Sequence, residues 1–277
     1  MKLSICSYSF HRLLAEGKQD IFRYITDCRD LGCTQLDPWM AHFEPIQAAC
    51  SEWRKVPFPH QQASYLSSEE VRYLAEVRRA AERAGLPFGC IAVDGGHMYE
   101  KDVAARNANR AIAYRWIDVC AVLGARQIRL DSGGTHAMPD AEFKVIVEGF
   151  CDVVARAAAR GVEVVIENHW GASQVPDNLL RILGAVPGLK MLWDSYNFVP
   201  ELKREGREKC APYAAITHMK TFRFDDAGNE PDEDIPHAVR TLKAAGYDGT
   251  WGIESCPKEM DEYEAARKTI ALLKKLV

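Results

Sequence analysis

The sequence has no basic excess, no long apolar run, no closely paired cysteine motif, no internal repeat and no low-complexity tract. Its 35 Lys and Arg stand against 39 Asp and Glu, a formal net charge of −4. Nucleic acid or an anionic membrane surface would call for the opposite imbalance, so neither is an expected partner. No uninterrupted apolar stretch approaches the roughly 20 residues needed to cross a bilayer. The opening MKLSICSYSF has one Lys, no long apolar core and no small-residue cleavage site. It does not read as a signal peptide, and a cytoplasmic location is expected. The nine cysteines, at 6, 28, 33, 50, 90, 120, 151, 210 and 256, cannot all pair internally. Without a CxxC, neither a zinc ribbon nor a redox pair is indicated. In runs such as PFGCIAV and IDVCAVLG they read as small buried hydrophobes, and only Cys256, directly after IES, stands apart.

What is present is a regular alternation. Short β-rich apolar runs occur at 3–8, 33–38, 88–94, 126–131, 162–168, 189–195, 215–221 and 250–255. Between them lie segments of helical periodicity that start near Ser or Asp and end at Gly. In SSEEVRYLAEVRRAAERAG, for example, Ser67 or Ser68 can cap, Glu69 and Glu70 suit the first-turn dipole, and Gly85 ends the helix. Strands alternating with helices predict a parallel sheet, and eight of them predict a (β/α)₈ TIM barrel, a single α/β domain over residues 1–277. Two stretches break the rhythm. Residues 38–67, with Trp39, Pro45, Trp53, Pro57 and Pro59, read as a long loop after the second strand. TFRFDDAGNEPDED (221–234) reads as a polar loop after the seventh. The run KREGREK (203–209) reads as a solvated helix face.

Residues at the C-terminal ends of barrel strands point into the mouth where such folds build their sites. The last four predicted strands end in or near Glu167, Asp194, His218 and Glu254. Any one of these alone would be unremarkable, because acidic strand-end residues often cap the next helix and a lone His is often a bonded core residue. Three carboxylates and an imidazole converging on one mouth would repel strongly without a cation. An O₃N set suits manganese, magnesium or cobalt better than a thiolate-preferring metal.

These segments, VVIENHWG, MLWDSYN, ITHMK and TWGIES, resemble the four metal-site segments of the xylose isomerase-like sugar phosphate isomerase/epimerase superfamily. The resemblance extends over essentially the whole chain, including YSFHR and LGCTQLD. It implies a (β/α)₈ barrel, a carbohydrate substrate and one catalytic divalent ion held by Glu167, Asp194, His218 and Glu254. Manganese is the first candidate, with magnesium, cobalt or zinc as alternatives. It also suggests dimers or tetramers, although no sequence feature decides the oligomeric state. In the chemistry implied, Glu167 and Glu254 remove and return a proton beside a carbonyl, and the ion stabilises the enediolate. Return to the opposite face gives epimerisation, and return to the neighbouring carbon gives isomerisation.

Further substrate-binding candidates surround the four. Lys220, two residues after His218, points into the same mouth if the strand is regular; otherwise it pairs with Asp225 or Asp226. His169 binds substrate or, by strand parity, buttresses the strand end. His97 and His136 lie in Gly-rich loops after the third and fourth strands. Trp39 can form an apolar wall, and Arg129 reads as an interior salt bridge to Asp131. Ketose 3-epimerases of the superfamily usually carry His three residues after the sixth-strand Asp. Here Asn197 stands in that place, able to bond a hydroxyl but not to take up a proton. That departure keeps three functions in competition: a sugar isomerase or epimerase, a lyase or dehydratase acting on a 3-keto-glycoside or inosose, and a non-catalytic carbohydrate-binding barrel.

Overall fold

The computed structural model describes residues 1–53 and 66–277, with side chains in the first stretch described up to residue 48. Among these residues seven strands form one parallel sheet: β1 (Leu3–Ile5), β2 (Cys90–Ala92), β3 (Gln127–Leu130), β4 (Glu163–Glu167), β5 (Lys190–Asp194), β6 (Ala214–Thr221) and β7 (Trp251–Ser255). Their order is β1-β7-β6-β5-β4-β3-β2, which leaves β1 and β2 as the two ends.

Residues 34–39 lie between those ends and close the barrel. Thr34 N donates to Leu3 O at 2.8 Å on one side, while Leu36 N reaches Pro87 O at 2.9 Å on the other. The second predicted strand is therefore present as an extended segment with isolated bridges to both neighbours, such as Cys6 to Asp37 and Leu36 to Phe88. It fails to form a continuous ladder for local reasons. Pro38 has no N–H to give. Asp37 N donates to the Tyr24 hydroxyl at 2.8 Å, and that hydroxyl donates to Ile5 O at 2.6 Å. The Asp37 carboxylate accepts Cys90 N at 2.8 Å, replacing backbone pairing with side-chain pairing.

The helices are α1 (His11–Ala15), α2 (Ile21–Asp30), α3 (Glu44–Trp53), α4 (Ser68–Ala84), α5 (Val103–Leu123), α6 (Asp140–Ala158), α7 (Pro176–Ala185), α8 (Lys203–Cys210), α9 (Ile235–Ala244) and α10 (Glu262–Leu276). Ser67 and Glu70 form a reciprocal capping box at α4, which ends at a left-handed Gly85. Asp102, Asp234 and Asp261 cap α5, α9 and α10. Two expectations need correction. The 38–67 stretch is not a plain loop, because a short 3₁₀ turn (Met40–His42) and α3 occupy much of it; Pro57, Pro59 and the Trp53 side chain lie outside the described residues. The 203–209 run is helical, but Arg207 is buried inward, donating to Ser195 O at 2.6 Å and to Glu233 at 2.7 Å.

Two apolar layers hold the barrel. Outward-facing strand residues such as Val164, Ile166, Met191, Trp193, Met219 and Ile253 join the large core beneath the helices. A separate cluster of Cys90, Val165, Leu192 and Ile216 fills the interior. The two-residue period of a strand then dictates what stands above that interior layer. Two residues beyond Val165 comes Glu167, two beyond Leu192 comes Asp194, and two beyond Ile216 comes His218. No helix among the described residues is long and apolar enough to cross a membrane.

Candidate active site

At the C-terminal mouth of the barrel lies a cavity of about 530 Å³ whose lining includes Glu167, His218, Glu254, Lys220, Asn197, His169, Trp39 and Arg129. Asp194 sits beneath it, fully buried. Glu167, Asp194, His218 and Glu254 each offer one ligand atom, and these atoms all lie within 4.8 Å of one another. Ligand atoms on one small divalent ion, each roughly 2.0–2.6 Å from it, span comparable distances. His218 Nδ1 lies 3.4 Å from Glu167 Oε1 and 3.5 Å from Glu254 Oε2. Neither contact is a hydrogen bond, and both His218 Nδ1 and Asp194 Oδ2 are buried without a hydrogen-bond partner. Unsatisfied buried polar atoms are rare and costly. Two of them aimed into a carboxylate cluster match what a cation would satisfy, so the donor set fits a divalent ion.

The surrounding shell fixes this geometry. Asn168 clamps the ends of β4 and β5 together, accepting Asp194 N and donating to Asp194 O, each at 2.9 Å. Asp194 Oδ1 accepts the backbone N–H groups of Tyr196 at 2.6 Å and Asn197 at 2.8 Å. The Ser195 hydroxyl accepts Lys220 N at 2.9 Å, tying β5 to β6. Lys220 Nζ lies 3.0 Å from Glu254, 3.6 Å from Asp194 and 3.1 Å from Asn197 Oδ1. It faces the mouth and not the acidic loop, where Asp225 is instead bonded to Asn229. Asn197 also donates to Glu167 Oε1 at 3.2 Å.

Electrostatics follow from burial and these neighbours. Burial alone would raise Glu254, but Lys220 and His218 outweigh it and hold the carboxyl well below its usual range. Burial likewise opposes ionisation of Glu167, and His169, His218 and Arg129 together bring it below normal. Asp194 goes the other way, to about 6; burial dominates, with Glu167 and Glu254 adding to it against the opposing charges of Lys220 and His218.

The other sequence-derived candidates divide. His169 lies on the cavity wall, because the chain turns after Glu167 and strand parity no longer applies. Its Nδ1 is 3.3 Å from Asp131, and the charges of Asp131 and Glu167 outweigh burial and raise its pKa. Trp39 lines the cavity, anchored by Nε1 to Asp94 at 2.6 Å. His97 faces the adjoining hollows and pairs with Glu100 at 3.0 Å. His136 is exposed, bonded to Gln174 at 3.0 Å, and is not among the residues around the cluster. Arg129 is both the expected salt bridge to Asp131, at 2.8 Å, and a wall of the mouth, with Nε 3.2 Å from Glu167. Asp131, Glu167 and His169 also converge within 4.8 Å, but the Arg129 guanidinium already supplies their positive charge. Tyr8, Cys6, Trp170 and Cys256 are also among the lining residues. Of these, Trp170 is 64% exposed, a large aromatic presented at the rim. Asn168 and Ser195 had no sequence signal of their own, since their work is bonding to the backbone.

The family model for xylose isomerase-like TIM barrels matches residues 25–276. By sequence, no curated protein matches the chain. Among solved structures, D-psicose 3-epimerase in the presence of D-fructose is similar, with TM-score 0.72 and 16% identity, over 100% of this chain and 99% of that one. The 3-keto-D-glucoside 4-epimerase from E. coli gives TM-score 0.68 and 15% identity, over 93% and 95%. The probable 3-DHS dehydratase from Bacillus anthracis gives TM-score 0.70 and 14% identity, over 99% of each chain.

Proposed function

Because the chain belongs to the xylose isomerase-like TIM-barrel family, we propose that it is a sugar isomerase or epimerase in which Glu167, Asp194, His218 and Glu254 hold one divalent ion. Manganese is the first candidate for an O₃N donor set, ahead of magnesium, cobalt and zinc. The observation that carries this reading is the convergence of the four ligand atoms, two of them buried and unsatisfied. Arg129, between Asp131 and Glu167, stands where a second cation would have to sit, which favours a single ion.

When bound, such an ion supplies Lewis acidity toward neighbouring substrate oxygens. The remaining steps belong to the chain. Glu167 on β4 and Glu254 on β7 reach His218 from different strands, 3.4 and 3.5 Å from its Nδ1; in this reading one takes a proton from a substrate carbon while the other returns one from the opposite face. Their low pKa values keep both in the accepting form at neutral pH but make them weak bases. The substrate carbon must then be acidified by the cationic groups of the mouth, Lys220 foremost, 3.0 Å from Glu254. Asn197 bridges Glu167 and Lys220, orienting both while remaining neutral. Trp39 and the exposed Trp170 offer apolar faces to a sugar ring.

A lyase or dehydratase is the second reading, and His169 favours it. Elimination needs an acid for the leaving group besides the base, and this imidazole lines the mouth with its pKa raised. Incubation in heavy water with ketoses, inososes and 3-keto-glycosides separates the two. A deuterated epimer or isomer supports the first reading, and loss of a leaving group supports the second. Turnover of none of them by metal-filled protein would contradict both.

A further inference from the structure

A second hollow, of about 860 Å³, opens beside the mouth and shares Tyr196, Phe222 and Lys258 with it. Phe224 from the β6–α9 loop and Met260 from the segment before α10 supply its other apolar walls. We propose that this hollow is a subsite for an uncharged, flat ring attached to the reacting sugar, so that the substrate is a glycoside and not a free monosaccharide. The inference rests on the carbohydrate reading above and narrows it.

Continuity is the first support. An occupant in contact with Tyr196 and Phe222 is within reach of the group lying over the four-residue cluster. The mouth alone, at about 530 Å³, already falls in the usual range of small-ligand clefts, and the adjoining space calls for a second moiety.

The second support is the way the aromatic walls are held. Tyr196 is 38% exposed, and its ring packs edge-to-face on Phe222 with centroids 4.8 Å apart. Lys203 Nζ lies 3.9 Å from the Tyr196 ring centroid and is fixed by Glu233 at 2.8 Å. The loop carrying Phe222 is pinned by the buried Glu230, whose carboxylate accepts Phe222 N at 2.6 Å, Arg223 N at 3.1 Å and Asp232 N at 2.8 Å. Aromatic faces fixed in advance lose little entropy when a ring stacks on them.

The third support is charge. Arg223 makes a two-point pair with Asp232, both contacts at 2.6 Å, and Lys203 is committed to Glu233. Glu259 adds another carboxylate to the lining. With three carboxylates in its lining (Asp232, Glu233 and Glu259) against two cations (Arg223, itself paired, and Lys258), the hollow disfavours a phosphate or carboxylate and suits an uncharged ring.

Calorimetric titration of manganese-loaded protein with methyl β-D-glucopyranoside, 4-nitrophenyl β-D-glucopyranoside and 4-nitrophenyl phosphate tests this. The aryl glucoside is expected to bind at least tenfold more tightly than the methyl glucoside. Phe224→Ala should lower that ratio at least fivefold, and Met260→Ala provides the same reading if the first variant folds poorly. Equal affinity for the two glucosides overturns the subsite while leaving the carbohydrate reading intact. Binding of neither overturns both, and tighter binding of the aryl phosphate overturns the uncharged-ring assignment.

Discussion

Replacing Lys220 by Met should destabilise the metal-free protein far more than the manganese-loaded one. The Lys220 ammonium lies 3.0 Å from Glu254 and 3.6 Å from Asp194, and all three groups are buried. At an effective dielectric of about 20, unit charges at such separations attract by about 5 kcal/mol each. Desolvation of the ammonium returns several kcal/mol of this, and deleting one partner of a buried pair typically costs about 3–5 kcal/mol. For a chain of this length about 1 kcal/mol corresponds to roughly 2 °C, so the metal-free variant should melt roughly 6–10 °C lower. A divalent ion compensates the same carboxylates, leaving a loss of about 1–2 kcal/mol from packing and the bond to Asn197. The manganese-induced rise in melting temperature should therefore be larger in Lys220→Met than in wild type, by roughly 4–6 °C. Calorimetry on chelator-treated and manganese-loaded samples of both proteins measures the difference of differences. An equal loss in both states would show that Lys220 and the cation do not act on the same carboxylates, and would refute the reasoning.

Further predictions test the frame around the site. Asn168→Ala removes both bonds between the ends of β4 and β5 and should cost about 2–4 kcal/mol in urea unfolding, with metal affinity falling about 10–100-fold. Gly252→Ala would place a Cβ 2.1 Å from Thr217 O, and overpacking of that kind should cost about 1–3 kcal/mol in the same assay. Burial of His42 lowers its pKa from 6.5 to about 4, only partly opposed by Asp20. The unfolded chain therefore takes up a proton before the folded one does, and stability present above pH 6.5 is lost as pH falls toward 4. At pH 5 the loss should be about 2 kcal/mol relative to His42→Gln; identical pH profiles for the two proteins would contradict a buried neutral imidazole.

The main features of the fold and the candidate site were legible because one rule, the two-residue period of a strand, serves both. It takes Val165 to Glu167, Leu192 to Asp194 and Ile216 to His218, and it places Lys220 in the mouth. Where regular strand ends, the rule fails. His169 reaches the cavity because the chain turns after Glu167, and parity alone points it away. The segment 33–38 reads as a strand by composition, yet Pro38 and the side-chain bonds of Asp37 and Tyr24 replace its ladder. Arg129 and Arg207 show a related limit. Their long side chains make contacts set by distant elements, Glu167 for one and Glu233 for the other, which local pattern does not encode. His97 and His136 stand in Gly-rich loops whose paths depend on such contacts, and the structure places both away from the four-residue cluster.

The most direct test of the central claim is deuterium incorporation beside a substrate carbonyl in heavy water, read by mass spectrometry with metal content measured in parallel. Wild type filled with manganese should incorporate deuterium into a turned-over keto-sugar, whereas metal-free protein and metal-filled Glu254→Gln should not. Exchange that survives Glu254→Gln at full metal occupancy would contradict the assignment of Glu254 as a proton-transfer residue.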